Sequence, residues 1–359
     1  MDFKTILIAW YKQHARELPW RNTTNPYYIW VSEIILQQTR VAQGLGYYNR
    51  FIKAFPTIND LARANEDEVL KQWQGLGYYS RARNLHAAAR HLVSVNSGKL
   101  PSTYNELLAI KGIGAYSAGA IASFAFKIPV PAIDGNVYRI IARIFGVFSS
   151  PDNSKGKKEF YEIVSELIDP NSPDVFNQAL LDFGAIQCVP RNPKCENCPF
   201  AEYCYAYRNN MIESLPVKGK RIVPVPRYFT YILIRYKDYT FISKRQKNDI
   251  WKSLYEFPLI ESSKIISVDE VSKTSEWNGL FGDSNVNISY VSPIVKHQLS
   301  HQTIFTQFLV AEIYALTIYL ANNYIKIPVV ELDCYTIPKL IDNFLVAEPA
   351  AKYFLNKPE

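Results

Sequence analysis

Four of the five cysteines in this 359-residue chain fall between positions 188 and 204, with six, two and five residues separating Cys188, Cys195, Cys198 and Cys204. Four thiols in so short a stretch have to converge, and the surrounding chain has to fold so that they can. A disulfide scaffold would spread its cysteines through a small secreted domain. Crowding of this kind points instead to a metal or a cluster in a reducing compartment. Tetrahedral zinc and a [4Fe–4S] cluster both take four thiolates, and spacing alone leaves the two open. Cys334 stands apart and is expected to be a buried apolar residue.

The chain reads differently on the two sides of this loop. Before it, "NEDEVLKQWQGL" and "SRARNLHAAARHLVSV" carry apolar residues three and four apart, the helical period. Residues 1–207 are therefore expected to be all-helical, opening with an amphipathic helix in "MDFKTILIAWYKQHARELPW". Residues 208–227 carry three prolines, basic residues and no periodicity, and read as a linker. Residues 228–359 hold alternating β-branched and aromatic runs, "RYFTYILIRYKDYTFISKR" and "TQFLVAEIYAL", with a closing helix near "IPKLIDNFL". The expected class is multidomain: an all-α domain followed by a C-terminal α/β domain. A length of 359 residues suits two domains. The formal charge of +7 is compatible with a polyanionic partner such as nucleic acid. No run of about 18 uncharged apolar residues occurs, which excludes a helical membrane span on sequence grounds. One echo exists: "QGLGYYNR" begins at Gln43 and "QGLGYYSR" at Gln74, with unrelated flanks. The first copy is expected to continue the helix that carries Glu33.

Near 108–122, "IKGIGAYSAGA" forces one helix to end before Gly112 and another to begin after Gly114. Glycine allows positive φ and a close backbone approach. The free N–H groups of the second helix then form an anion site, reinforced by the helix dipole. This is the form of a helix-hairpin-helix, which holds a DNA phosphate without reading sequence. The same letters also fit an ordinary corner between helices. Downstream, "VPAIDGNVYRI" sets Asp134 in a Pro/Gly-flanked turn before a helix. Asp is a common N-cap there, and a cap also fixes a carboxylate in space. In "YYIWVSEIILQQTRV", Glu33 lies among Trp30, Val31, Ile34, Ile35 and Leu36. Burial disfavours a charged carboxyl and raises its pKa, which makes a general acid near neutral pH; the alternative is a surface Glu favoured by the helix dipole. A protonated carboxyl beside an ionised one suits rupture of a C–N glycosidic bond, where a leaving base takes a proton and an oxocarbenium-like sugar needs a counter-charge. Glu33 fits the first role and Asp134 the second.

The ordered motifs "LPWR", "SEIILQQTRV", "QGLGYYSRARNL", "GIGAYSAGA", "AIDGNVYRI" and "FGAIQCVPRNPKCENCPFAEYC" resemble the MutY-type adenine DNA glycosylases of the helix-hairpin-helix superfamily. The resemblance is dense over residues 18–207 and looser beyond. It implies a helix-hairpin-helix glycosylase domain with an iron–sulfur loop at 188–204, the four cysteines holding [4Fe–4S]. It implies removal of adenine mispaired with 8-oxoguanine or guanine in double-stranded DNA, by a cytoplasmic (in bacteria nucleoid-associated) monomer. Glu33 matches the family's acid at adenine, Asp134 its carboxylate at the sugar, and Asn136 the same catalytic loop. Tyr116 stands where bifunctional relatives carry a Schiff-base lysine, implying a monofunctional hydrolase. Arg21 and Gln178 match the adenine pocket, Gln38, Leu76 and Tyr78 the wedge that fills the vacated stack, and Thr39 a contact to the oxidised guanine. Lys111 joins Gly112 and Gly114 at the phosphate, and Arg191 and Lys194 face DNA from the cysteine loop. In the C-terminal part, "WKSLYEFPLIE" resembles the core of Nudix-like domains, but the carboxylate box that binds magnesium is missing. The resemblance implies an 8-oxoguanine recognition domain with Ser300 and His301 at the tip of a sensing hairpin, and Leu299 where the family commonly has Phe.

Overall fold

The computed structural model describes residues 2–219 and 223–347. Residue 1, residues 220–222 of the expected linker and residues 348–359 of the expected C-terminal domain lie outside the described residues. The chain forms two compact units: Met1–Ala64 with Arg81–Lys220, and Asn65–Ser80 with Arg221–Glu359. Asn65–Ser80, expected within the helical domain, thus packs with the second unit.

The first unit is helical. Its opening helix, Phe3–His14, is capped by Asp2, whose side chain accepts from the Thr5 N–H. That helix buries Phe3, Leu7 and Trp10, one face at helical spacing. Phe3 stacks on Phe200 at 4.9 Å, so the cysteine loop shares a core with the N-terminus. Leu215 lies in the same core, and its carbonyl accepts from Arg143 Nε at 3.1 Å. Over its described part, 208–219 is therefore not a free tether. Met211, Ile212 and Val217 pack against that core, apolar anchors that outweigh the prolines. Val225 already begins the first strand of the second unit.

The hairpin lies between the helices Tyr104–Ala109 and Ala115–Phe126. Gly112 takes φ +91, and a Cβ there would lie 2.7 Å from the Asn84 Cβ; both facts demand glycine. Gly114 caps the second helix at φ −90, where any residue fits, and a Cβ would meet nothing within 4 Å. The exposed helix start is left open in front of it.

The two echo copies fold differently. The helix carrying Glu33 ends at Leu36, and the first copy lies in a separate helix, Val41–Ala54. The expectation of one continuous helix is thus corrected. Gln38 at φ +57 breaks the run, and Arg81 donates to the carbonyls of Ile34, Ile35 and Gln37, closing the helix end. The second copy is a loop with Gly75, Gly77 and Tyr78 all at positive φ.

The second unit is built on strands β1 (Val225–Tyr236), β2 (Tyr239–Lys244), β3 (Tyr255–Glu256), β4 (Leu259–Ser262), β5 (Val286–Val291), β6 (Val295–Gln298), β7 (Gln302–Ile313) and β8 (Ile325–Pro328). The main path runs β3-β2-β1-β7-β5, and β1 and β7 pair in parallel from Val225↔Gln302 to Arg235↔Glu312. A parallel centre has to be covered on both faces. Phe229, Tyr231 and Leu233 of β1 enter one core and Ile232 and Ile234 the other. The helix Lys339–Ala347 covers the first face, with Phe344 stacked on Phe308 at 4.0 Å. Trp277, Leu280 and Phe281 of Ser275–Phe281 cover the second. Glu256, the acid of "YEF", is engaged internally by Arg245 and Tyr231. Cys334 is exposed, correcting the expectation of a buried residue; it ends a short turn, Val329–Cys334, whose buried contacts are Val329 and Leu332.

Candidate active site

Glu33 sits on the helix Pro26–Leu36, which begins with a capped turn: Asn25 accepts from the Tyr27 N–H, and Pro26 follows. Ile29 to Ile35 are buried without a break, so the helix has no solvent face on which to place its carboxylate. Glu33 is 3 % exposed, and its Oε2 has no protein hydrogen-bond partner among the described residues. The Tyr116 hydroxyl, from the hairpin's second helix, faces the carboxyl group in the same cleft and favours its charged form. Burial pushes the Glu33 carboxyl up to about 7; the Tyr116 hydroxyl and the Arg21 charge oppose the shift, and the Asp134 charge adds to it.

Asp134 caps the helix Gly135–Phe145. Its Oδ1 accepts from the N–H groups of Asn136 (2.8 Å) and Val137 (3.0 Å), and its Oδ2 from Asn136 Nδ2 (2.7 Å). Burial pushes this carboxyl upward too, but three N–H donors and a helix N-terminus pull towards the ionised form. Gly119 lets the hairpin helix approach this loop: a Cβ there would lie 2.3 Å from the Pro131 carbonyl oxygen. Glu33, Tyr116, Asp134 and Asn136 line one cleft of about 380 Å³, within the range of small-ligand sites. The two carboxylates therefore share a cavity of the size a nucleobase needs.

Arg21, Gln178 and Thr39 line the same cleft. Arg21 is held bidentate, Nη1 and Nη2 donating to Asp182 at 2.6 and 2.7 Å. Arg16 Nε and its backbone N–H donate to the same carboxylate. Asp182 is fully buried and was not among the residues expected to matter. Its one local signal is the spacing of four from Gln178 on the helix Pro173–Ile186. Gln178 Oε1 accepts from the Tyr11 hydroxyl at 3.0 Å.

Gln38 is exposed at the turn after the Glu33 helix but does not line the cleft. Leu76 and Tyr78 belong to the second unit, as do Ser300 and His301. Leu76 is buried at 7 % exposure, so it is not presented as a surface wedge; Tyr78 is 49 % exposed. Ser300 and His301 are exposed in the β6–β7 turn, closed by Leu299 N–H donating to the Gln302 carbonyl at 2.8 Å. Leu299 packs against the sheet core rather than outward. Ser300 Oγ and the Tyr78 hydroxyl are hydrogen-bonded at 2.7 Å. Lys111, Gly112 and Gly114 are exposed at the hairpin, as are Arg191 and Lys194 on the cysteine loop.

Cys188, Cys195, Cys198 and Cys204 line one small cavity with Phe183 and Ile144. Arg143 stands beside it, 3.5 Å from the Cys188 sulfur, a cation suited to a thiolate set. A cluster spreads its thiolates over separate irons, and the apolar, cysteine-lined cavity fits that donor set.

Residues 31–168 match the HhH-GPD superfamily of base excision DNA repair proteins, and residues 188–204 match the iron-sulfur binding domain of endonuclease III. Together with the two-carboxylate cleft, these matches define a helix-hairpin-helix DNA glycosylase with an iron–sulfur loop. The adenine DNA glycosylase of Buchnera aphidicola (subsp. Baizongia pistaciae) is 36% identical over 327 residues, 89% of each chain. The mouse adenine DNA glycosylase is 40% identical over 215 residues, of which this chain covers 42% of the mouse protein. Among solved structures, a thermostable thymine-DNA glycosylase aligns with TM-score 0.54 and 30% identity over 58% of this chain and 95% of its own. The chain belongs to the adenine DNA glycosylase family and acts in base excision repair. No helix among the described residues is long and apolar enough to cross a membrane.

Proposed function

We propose that this enzyme removes adenine paired with 8-oxoguanine, or with guanine, by hydrolysis alone, and works as a monomer on double-stranded DNA. The observation that carries the reading is Glu33: buried, one oxygen without a protein partner, facing a cleft it shares with Asp134. An extruded adenine would enter that cleft, at a few kcal/mol of unstacking. Glu33 gives its proton to the base as the C–N bond breaks, and the electron pair leaves with adenine. The ionised form of Asp134, which accepts from Asn136 and Val137, faces the positive sugar until water adds to the sugar carbon and returns a proton to Glu33, leaving an abasic site. Tyr116 faces the Glu33 carboxyl and offers no amine, so no Schiff base forms at that position. Arg21 and Gln178 line the base pocket. Gln38 and Tyr78, both exposed, act at the vacated stack and Thr39 at the oxidised guanine. Lys111, Gly112 and Gly114 hold the backbone phosphate. The four thiolates would hold the cluster, which would tie the 188–204 loop at four points, and Arg191 and Lys194 on that loop face the DNA. Ser300 and His301 read the 8-oxoguanine.

Single-turnover reaction of a duplex with one 8-oxoguanine:adenine pair is expected to give strand breaks only after alkali, faster than for guanine:adenine. Breaks without alkali would mean lyase chemistry and overturn the monofunctional reading. Replacing Ser300 and His301 together by alanine is expected to lower the preference for 8-oxoguanine roughly tenfold, the worth of one or two hydrogen bonds. An undiminished ratio would move lesion reading elsewhere.

A further inference from the structure

Asn65–Ser80 joins the helical chain on either side of it, yet packs with the C-terminal sheet. Its helix, Glu66–Trp73, is capped by Asn65 and presents Asp67 and Lys71 one turn apart on one face. Asp67 Oδ1 accepts from Lys244 Nζ at 2.6 Å and Oδ2 from the Tyr255 hydroxyl at 2.9 Å. Lys244 and Tyr255 are register partners on β2 and β3, so their side chains reach Asp67 side by side. Lys244 Nζ also lies 5.4 Å from the Tyr255 ring centroid. Lys71 Nζ donates to the Asp333 carbonyl.

The loop after this helix is stitched back onto it. Trp73 Nε1 donates to the Gly77 carbonyl at 3.1 Å, and the Gly75 N–H donates to the Tyr79 hydroxyl at 3.2 Å. Tyr78 emerges from that loop beside Ser300. Asp67 thus ties the helix to the sheet, and Trp73 at the end of the same helix ties back the loop that carries Tyr78. We infer that Asp67 is a positioning residue: it fastens the helix and loop behind Tyr78 to the sheet that carries Ser300 and His301, so that the side chain entering the stack and the lesion-reading hairpin meet the damaged strand as one body. This rests on the lesion-reading role proposed above.

A pure loss of fold would lower excision on every substrate equally, whereas loss of registration lowers the preference for 8-oxoguanine over guanine opposite adenine. The test measures single-turnover excision at saturating enzyme on both duplexes. Asp67→Ala is expected to leave the guanine:adenine rate within about twofold and to lower the preference about three- to tenfold, the range of a coupled contact. Asp67→Asn and Tyr255→Phe, gentler changes, are expected to fall between that variant and the native enzyme. Combining Asp67→Ala with Ser300→Ala should lose no more than the worse single variant, because both act on one coupled unit. A native preference ratio in Asp67→Ala, with Ser300→Ala plus His301→Ala still lowering it, overturns the positioning role and leaves the lesion reading standing. Equal loss on both duplexes reduces Asp67 to a structural contact and also overturns the role. Absence of any preference in the native enzyme removes the lesion reading itself, and the positioning role with it.

Discussion

Glu33→Gln is expected to bind mismatched DNA as before, to lose base excision by about 10²–10⁴-fold, and to be more stable than the native enzyme above neutral pH. The first two effects follow from the transferable proton, since glutamine keeps the shape and loses only the acid. The third follows from linkage. The Glu33 carboxyl titrates near 7 in the folded chain against an ordinary 4.5, because burial disfavours the charge. A carboxyl raised on folding leaves stability untouched below about pH 4.5. It withdraws stability as the pH rises towards 7 and costs about 3 kcal/mol once fully ionised. Glutamine carries no such charge, so melting at about pH 8 should favour the variant, and at pH 4.5 should not. The same titration sets the rate: native single-turnover excision is expected to fall as pH rises through about 7, tenfold per unit at the limit. A flat rate profile across this range would take Glu33 out of the acid's role, and a variant no more stable at high pH would mean the carboxyl is better solvated than its burial implies.

How much of this was legible in the sequence differs residue by residue. Glu33 could be read because its whole helix is apolar, leaving a carboxylate no solvent face. Asp134 could be read because a Pro/Gly turn before a helix fixes a capping side chain locally. Four cysteines within one loop declare their own convergence. In each case the determining interaction lies within a few residues. Non-local choices were not written so plainly. The Glu66–Trp73 helix is amphipathic, but amphipathicity does not say which core will take it, and it went with the sheet rather than with the helices that flank it in sequence. The echoed "QGLGYY" forms a helix once and a positive-φ loop once, because glycine accepts either and the tertiary setting decides. Arg81 closes the Glu33 helix from more than forty positions away, a cap no local motif announces. The parallel pairing of β1 with β7 is likewise a property of the assembled sheet and not of either strand.

Asp182 is the sharpest case of this kind, and its replacement carries the largest expected loss of stability. "ALLDFGAI" gives no hint that its carboxylate meets two arginines more than 160 positions earlier. Burial alone would push that carboxyl up; the hydrogen bonds and charge of Arg21, with those of Arg16, reverse the shift and hold it below the usual range. Asp182→Ala leaves the Arg21 guanidinium, itself only 11 % exposed, without its counter-charge, at about 3–5 kcal/mol. The helical unit should then melt roughly 10 °C lower. The loss should be pH-dependent with a sign opposite to that of Glu33. A carboxyl lowered on folding adds stability above its unfolded pKa of about 4, and that stability is lost as pH falls through the folded value. Native and variant melting curves should therefore converge in acid and separate towards neutrality. Excision should fall as well, through positioning: Arg21 lines the base cleft in the orientation that Asp182 imposes, and an unpaired guanidinium there would turn towards Glu33 and pull its carboxyl down, draining the proton the leaving base requires. The rate profile of Asp182→Ala should accordingly shift to lower pH than that of the native enzyme. Equal melting of the two proteins at neutral pH would mean that the buried carboxylate and its arginines are no more favourable than an apolar replacement, and an unshifted rate profile would disconnect Asp182 from the acid it is held to protect.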